Sequence, residues 1–313
     1  MSTGNKYRLV TRADFDGIVA GGLLMELDMI SEVIFAEPKS VQDGLVEISA
    51  NDITTNLPYS ERVHLCFDHH ISELERVGTR ENYIISPDAP SAARVVFDYF
   101  GGKGRFPGIS EELMDAVDKA DSAGYSEEDI LAPERWTLLN FLLDPRTGLS
   151  RFEHFEIGHE EFMKDMMVYV RHHPVDEILA IPAVKERVYL YQAQEEQFEL
   201  QLRATSKHHG SVTVLDMRNE RVVHAGNRFT AYAIFPECNV SIQIMDLDDR
   251  NMVLMAVGKS ILNRTNDISI GSLMLEYGGG GHRNAGTCQI EPDDVDRVLS
   301  ELIARLSSEV VST

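Results

Sequence analysis

Four clusters in the 313-residue sequence carry groups that can ligate a cation or grip an anion. Asp14-Phe15-Asp16-Gly17 places two carboxylates two residues apart, ahead of a glycine where the chain can turn. From one loop they reach one or two metal ions, although the same residues also make an ordinary turn with a helix cap. Asp68-His69-His70 follows directly on the apolar run 63–67. A carboxylate with two imidazoles suits Mn²⁺, Zn²⁺, Fe²⁺ or Co²⁺. The other histidine pairs, His172-His173 and His208-His209, stand among polar or linker-like residues and have the character of surface pairs. Asp121 ends the acidic stretch 115–121, before Ser122-Ala123-Gly124; alone it is a solvated helix-end carboxylate. Last, Gly278-Gly279-Gly280-Gly281 runs into His282-Arg283-Asn284-Ala285-Gly286. Successive glycines let backbone N–H groups approach an anion, and the next three side chains add donors. A helix C-cap needs a single glycine, so a run of four points to a ligand.

These groups need elements to position them. Residues 7–10 form a β-prone run, the turn 11–17 follows, and 18–30 is helix-like. Candidate strands recur at 33–36, 63–67 and 83–85, and a helix at 92–100 has Ser91 as its N-cap. Short apolar strands alternating with helices predict an α/β layer on a parallel sheet. Ligands of such sheets bind beyond the carboxyl ends of the strands, where 11–17 and 68–70 fall.

The stretch 110–173 is helical, with Phe155, Phe162, Met163, Met166, Met167 and Val170 on one buried face. Residues 192–203 predict a connecting helix. Short β-like runs follow at 211–216, 222–225, 240–245 and 253–257, then a helical turn at 271–277, a strand at 289–290 and an amphipathic helix at 295–306. The expected division is a first domain 1–186, a linker helix 187–206 and a second, α+β domain 207–313.

Composition narrows the function classes. Asp and Glu number 51 against 29 Lys and Arg, a net charge of −22. Such a chain repels long polyanions, which argues against sequence-blind DNA or RNA binding but not against a small phosphorylated ligand. The second domain, 207–313, is nearly balanced, so most of the acid lies in the first. Cys66, Cys238 and Cys288 are far apart, which disfavours a disulfide framework or thiolate zinc site and fits a reducing cytosol. No apolar run is long enough for a membrane span, and the N-terminus lacks a signal-peptide stretch. The expectation is a cytoplasmic protein with no membrane association; a homodimer is compatible with it.

In combination, the clusters resemble the DHH–DHHA1 phosphoesterase family over nearly the whole chain. The resemblance rests on Asp14-Phe15-Asp16-Gly17, on Asp68-His69-His70, on Asp121, and on the glycine-rich run 278–286 about 210 residues after the triplet. It implies a parallel-sheet DHH domain joined to a smaller DHHA1 domain, with the active site in the interdomain cleft. It also implies hydrolysis of phosphoester or phosphoanhydride bonds with Mn²⁺, or Mg²⁺ or Co²⁺, as one or two ions. Family substrates include short single-stranded oligonucleotides, nucleoside bisphosphates, cyclic dinucleotides, single-stranded DNA ends and polyphosphate.

Two positions depart from the family pattern. Relatives place His or Asp two residues before the Asp-x-Asp pair, where this chain has Arg12. The family's metal-bridging Asp, which ends an apolar strand, corresponds here to Asn56, with Asp52 as the substitute. Carried over residue by residue, Asp16, His69 and Asp121 hold the metal, with Asn56 as fourth ligand. Asp14 binds a first metal or accepts a proton. Asp68 is grouped with the catalytic residues and orients a ligand histidine, while His70 and Arg12 face the phosphate. Gly280, Gly281, His282, Arg283 and Asn284 clamp the substrate, and Arg228 and Arg264 are further phosphate-binding candidates. The rival expectation is a catalytically degenerate member of the family that binds a nucleotide or phosphate without turnover.

Overall fold

The computed structural model describes residues 5–247 and 251–307, with the main chain alone for Ser72 and His282. The chain divides into two compact units, Met1–Tyr125 with Pro133–Tyr191, and Ser126–Ala132 with Gln192–Thr313.

The first unit opens with β1 (Tyr7–Thr11), α1 (Phe15–Glu26), β2 (Ile30–Phe35) and the short α2 (Pro38–Gln42). It continues through β3 (Asp52–Thr55), β4 (Leu65–Asp68), α3 (Ile71–Val77), β5 (Tyr83–Ile85), α4 (Ala92–Tyr99) and α5 (Glu111–Asp121). The sheet order is β2-β1-β3-β4-β5, and every pairing is parallel. The central strands are buried, as a covered parallel sheet requires: Leu9, Val10, Ile53, Cys66 and Phe67 have no exposed surface. Apolar patterning misses β3 because its sequence, Asp-Ile-Thr-Thr, is polar. Its Thr55 hydroxyl is satisfied internally, 2.7 Å from Thr11 Oγ1.

Helix α1 starts at Phe15, three residues earlier than the apolar pattern suggests, because Asp14 caps it by accepting from the Gly17 amide. It also stops earlier, and Ile30 belongs to β2. Helices α4 and α5 and the later helix His159–Tyr169 pack against α1, which is buried from Phe15 to Leu24.

After α6 (Glu127–Leu131), counted with the second unit, come α7 (Arg135–Leu143), α8 (His159–Tyr169) and α9 (Val175–Leu179). Phe155 lies ahead of α8 rather than on it. It covers the buried Arg187 guanidinium from 4.1 Å, with Phe162 at 3.8 Å. Arg187 in turn donates to the carbonyls of Ala183 and Ile157. Helix α10 (Pro182–Thr205) carries the chain onward. No helix among the described residues is long and apolar enough to cross a membrane.

The second unit holds β6 (Ser206–His209), β7 (Val212–Asp216), α11 (Thr230–Ile234), β8 (Val240–Leu247) and β9 (Met252–Lys259), then α12 (Ile270–Leu275), β10 (Gly280–His282), β11 (Ala285–Ile290) and α13 (Val295–Leu306). The sheet runs β10-β11-β9-β8-β7-β6, with β7 and β8 parallel and the remaining pairs antiparallel. His208 and His209 lie on edge strand β6, not in a linker. The expected strand at 222–225 does not form. Gln201 of α10 occupies that backbone instead, donating to Val222 O at 2.7 Å and accepting from the His224 amide at 2.9 Å.

Gly17 is dictated by space: a Cβ there would stand 2.1 Å from Arg12 O and 2.7 Å from Thr11 Oγ1. Gly17→Ala should therefore displace the loop at 11–17 and lower stability by about 1–3 kcal/mol in urea unfolding. An unchanged midpoint and slope would show that the loop yields freely.

Candidate active site

The carboxyl ends of β1, β3 and β4 deliver the chemistry. Asp16, in the first turn of α1, is 2% exposed. Its two oxygens accept from the first-turn amides of α4, Ala92 N at 3.0 Å and Ala93 N at 2.7 Å. Ser91 caps α4 by accepting from Arg94 N, as the sequence predicts. His69 leaves β4 with Nδ1 3.1 Å from Ala89 O. Nδ1–H is the donor in that bond, which frees Nε2 as a ligand. His69 Nε2 lies 2.9 Å from Asp121 Oδ2 at the end of α5. Ligand atoms of Asp16, His69 and Asp121 all fall within 4.8 Å of one another.

Two observations test whether this set fits a cation. His69 Nε2 is buried and, despite its closeness to Asp121, is outside hydrogen-bond alignment. Asn56 Oδ1 is likewise buried without a hydrogen-bond partner. The donor set of carboxylates, imidazole and amide oxygen suits Mn²⁺ or a similar divalent ion.

The electrostatics agree. Burial holds the Asp16 carboxyl well above the usual carboxylate range, and the neighbouring charge of Asp121 adds to it. Burial opposes charge on His69 as well, but the contact with Asp121 and the fields of Asp121, Asp16 and Asp68 outweigh it and push the imidazole up to about 10. Asp121 is opposed by burial too, yet His69 keeps it below its ordinary value.

Asp68 has no exposed surface. One oxygen accepts from His69 N at 2.9 Å and from His70 Nδ1 at 2.5 Å, and the other from Tyr83 OH at 2.9 Å. A carboxylate so enclosed orients its neighbours.

Asp14 is shared three ways. Besides capping α1, it lies 3.2 Å from Arg12 Nε and accepts from Asn56 Nδ2 at 3.3 Å. Asn56 follows β3 in a left-handed conformation, φ +55°. Asp52 is excluded as its substitute. It begins β3, at the opposite end from the site, and is taken by Arg8 at 2.7 and 2.9 Å and by Ser49 at 2.6 and 3.0 Å.

Sequence reasoning missed Arg146. It is 45% exposed, tethered through Nε to Asp144 at 2.7 Å, and near enough to feel the charges of Asp14 and Asp121. Its one sequence signal is the turn Asp144-Pro145-Arg146-Thr147-Gly148 in an otherwise helical stretch.

In the second unit, crowding accounts for half of the glycine run. A Cβ on Gly279 or Gly281 would stand 2.0 Å from Thr287 O or 2.3 Å from Ala285 O, so both permit close pairing with β11. At Gly280 the space is open. Arg283 and Asn284 form the turn between β10 and β11, and both are exposed. Lys259, at the end of β9, was also missed. Burial and the nearby charge of Arg283 lower its ammonium pKa, so two cations stand close together there. Arg228 lies over the Phe229 ring at 4.0 Å, and Arg264 donates to Ile261 O.

Metal ligands must shed protons to bind. With His69 charged near neutral pH in the metal-free protein, Mn²⁺ binding should release at least about one proton, read from the buffer dependence of the calorimetric enthalpy. His69→Ala should abolish the binding. Release near zero would mean that the imidazole is already neutral.

No protein-family model and no curated protein matches the chain. Solved structures do. The pGpG-specific phosphodiesterase PggH from Vibrio cholerae superposes with a TM-score of 0.80 at 46% identity, covering 97% of this chain and 100% of that one. RecJ from Thermus thermophilus in complex with Mn²⁺ shares the fold at a TM-score of 0.51 and 14% identity, over 97% of this chain and 52% of RecJ. RecJ with Mg²⁺ gives 0.51 at 13% identity, over 97% and 50%. Since 46% identity extends along essentially the whole of both chains, and the RecJ fold underlies them, the chain belongs to the DHH–DHHA1 family of phosphoesterases.

Proposed function

We propose that this phosphoesterase cleaves the phosphodiester of a short linear dinucleotide, pGpG first among candidates, with one tightly held Mn²⁺ that Mg²⁺ or Co²⁺ can replace. The observation that carries the reading is the convergence of Asp16, His69 and Asp121 within 4.8 Å. The 46% identity to a pGpG-specific enzyme supports the substrate class. When bound, the ion supplies a water that ionises near neutral pH and a positive centre for phosphoryl oxygens.

The protein's own groups do the rest. Asp16 and His69 are fixed by the backbone at 89–93, and Asp121 completes the set, with Asn56 Oδ1 as fourth ligand. Arg12 neutralises Asp14 where a second ion would otherwise be drawn, and its guanidinium takes a phosphoryl oxygen. Arg146 offers a second guanidinium. His70, its ring oriented by Asp68, faces the phosphate. In the second unit, Arg283, Asn284 and Lys259 are the groups suited to binding a phosphate. Arg228 and Arg264 are held within their own loops, and this reading gives them no part. The 46% identity to a phosphodiesterase supports turnover over the degenerate, binding-only alternative. The net charge of −22 keeps long polyanions away. Three buried free thiols, Cys66, Cys238 and Cys288, support a reducing, cytoplasmic setting.

Hydrolysis should be tested on pGpG, a nucleoside bisphosphate and polyphosphate, with Mn²⁺ and with EDTA. The expected order puts pGpG first by about tenfold or more in kcat/KM. Faster turnover of polyphosphate or of the bisphosphate would overturn the substrate class, and full activity in EDTA would overturn the metal.

Calorimetry should find one tight Mn²⁺. The paired change Arg12→His with Asn56→Asp should add a second, because a carboxylate and an imidazole replace an amide and a fixed cation. Two tight ions in the wild type would refute the role given to Arg12.

A further inference from the structure

The three metal-holding residues come from three elements that share one neighbour, the segment 89–94 at the start of α4. Ala89 O fixes His69 Nδ1 at 3.1 Å. The amides of Ala92 and Ala93 fix Asp16 at 3.0 and 2.7 Å. Asp121 has no bond to this segment among the described residues, but Asp118, one turn earlier on α5, has three. Its Oδ1 accepts from Ser91 Oγ at 2.7 Å, and its Oδ2 from Arg94 Nε at 2.8 Å and Nη2 at 2.5 Å. The same Ser91 Oγ caps α4 by accepting from Arg94 N at 3.0 Å. Residues three apart lie on one helix face, so anchoring Asp118 sets the rotation and height at which Asp121 meets His69.

We propose that Asp118 is a positioning residue for the metal centre: through Ser91 and Arg94 it registers α5 on the segment that already holds Asp16 and His69, and so sets the spacing of all three ligands. Partly buried, with 17% of its side chain exposed, the bridge is shielded enough for its charge to matter. Asp115 is the internal control. It sits on the same helix 4.0 Å from the same Arg94, yet is 82% exposed. The proposal rests on Asp16, His69 and Asp121 being the metal ligands.

The test is Mn²⁺ affinity by calorimetry, alongside thermal unfolding and steady-state kinetics on pGpG and on bis(4-nitrophenyl) phosphate. Asp118→Asn keeps the shape and removes the charge. It should weaken Mn²⁺ by about 10–100-fold, as loss of outer partners does. The KM for substrate at saturating Mn²⁺ should hold, and Asp115→Asn should bind Mn²⁺ like the wild type. Ser91→Ala should reproduce the loss, Ser91→Thr should recover it, and Ser91→Ala with Asp118→Asn should be less than additive. If Asp118→Asn lowers the melting temperature while Mn²⁺ affinity stays within about threefold, the bridge only joins two helices and the proposal fails. Should wild type itself bind no Mn²⁺, it is the metal reading that fails. An Asp118→Asn protein that does not fold leaves the decision to the Ser91 pair, where equal affinities for Ala and Thr refute the proposal.

Discussion

Asp16 is a carboxylate with almost no exposed surface, and burying such a charge is costly unless hydrogen bonds and opposite charge replace the lost water. The first unit meets that demand by directing the N-terminus of α4 at it. Two amides donate to its oxygens, and the helix dipole adds favourable field. The arrangement dictates much else. Helix α4 must begin at a fixed height beside α1, and Ser91 must cap it. The loop before Ser91 then runs close enough for Ala89 to take the His69 ring. Even so, the Asp16 carboxyl stays above its ordinary range, so the compensation is partial and the site retains an appetite for a cation.

Charge balance around that point decides how many cations the first unit can hold. Asp14, Asp16, Asp68 and Asp121 face Arg12 and His69 at close range. Asp68 is spent inward on His70, Tyr83 and the backbone of 69–70. Asp14 is spent on Arg12, Asn56 and its own cap. Asp16 and Asp121 remain, with an imidazole between them. The guanidinium of Arg12 is permanently charged and stands 3.2 Å from Asp14, so part of the acid there is already balanced by the polypeptide itself.

The second unit uses glycine differently from what the run of four suggests. Close pairing of β10 with β11 forbids a Cβ at two of the four positions, and the donors that follow are the turn of that hairpin. Arg283 and Lys259 bring two cations together at that end of the sheet. Like charges brought together are expensive, and an anion relieves the expense.

Much of this was legible in sequence because it depends on local order. Four of the five parallel strands, the cap at Ser91 and helix α13 follow from short patterns of apolar, polar and turn residues; Asp14, Asp16 and His69 stand out by type and spacing, and Asp121 enters only through the family resemblance. What failed in the sequence reading failed for a reason of range. Strand β3 hides behind two threonines, and the hydroxyl of Thr55 pairs only once Thr11 is beside it. The run at 222–225 has strand-like residues, but a glutamine from α10 takes its hydrogen bonds. Asp52 and Asn56 compete as ligands on paper, and register alone separates them, because one opens β3 and the other follows its end. Arg146, Lys259 and Asp118 carry no motif; each gains its meaning from charges or hydroxyls far away in the chain. A residue's chemistry is written in its type, but the neighbour that tunes, neutralises or anchors it is chosen by packing, and packing is a property of the folded chain.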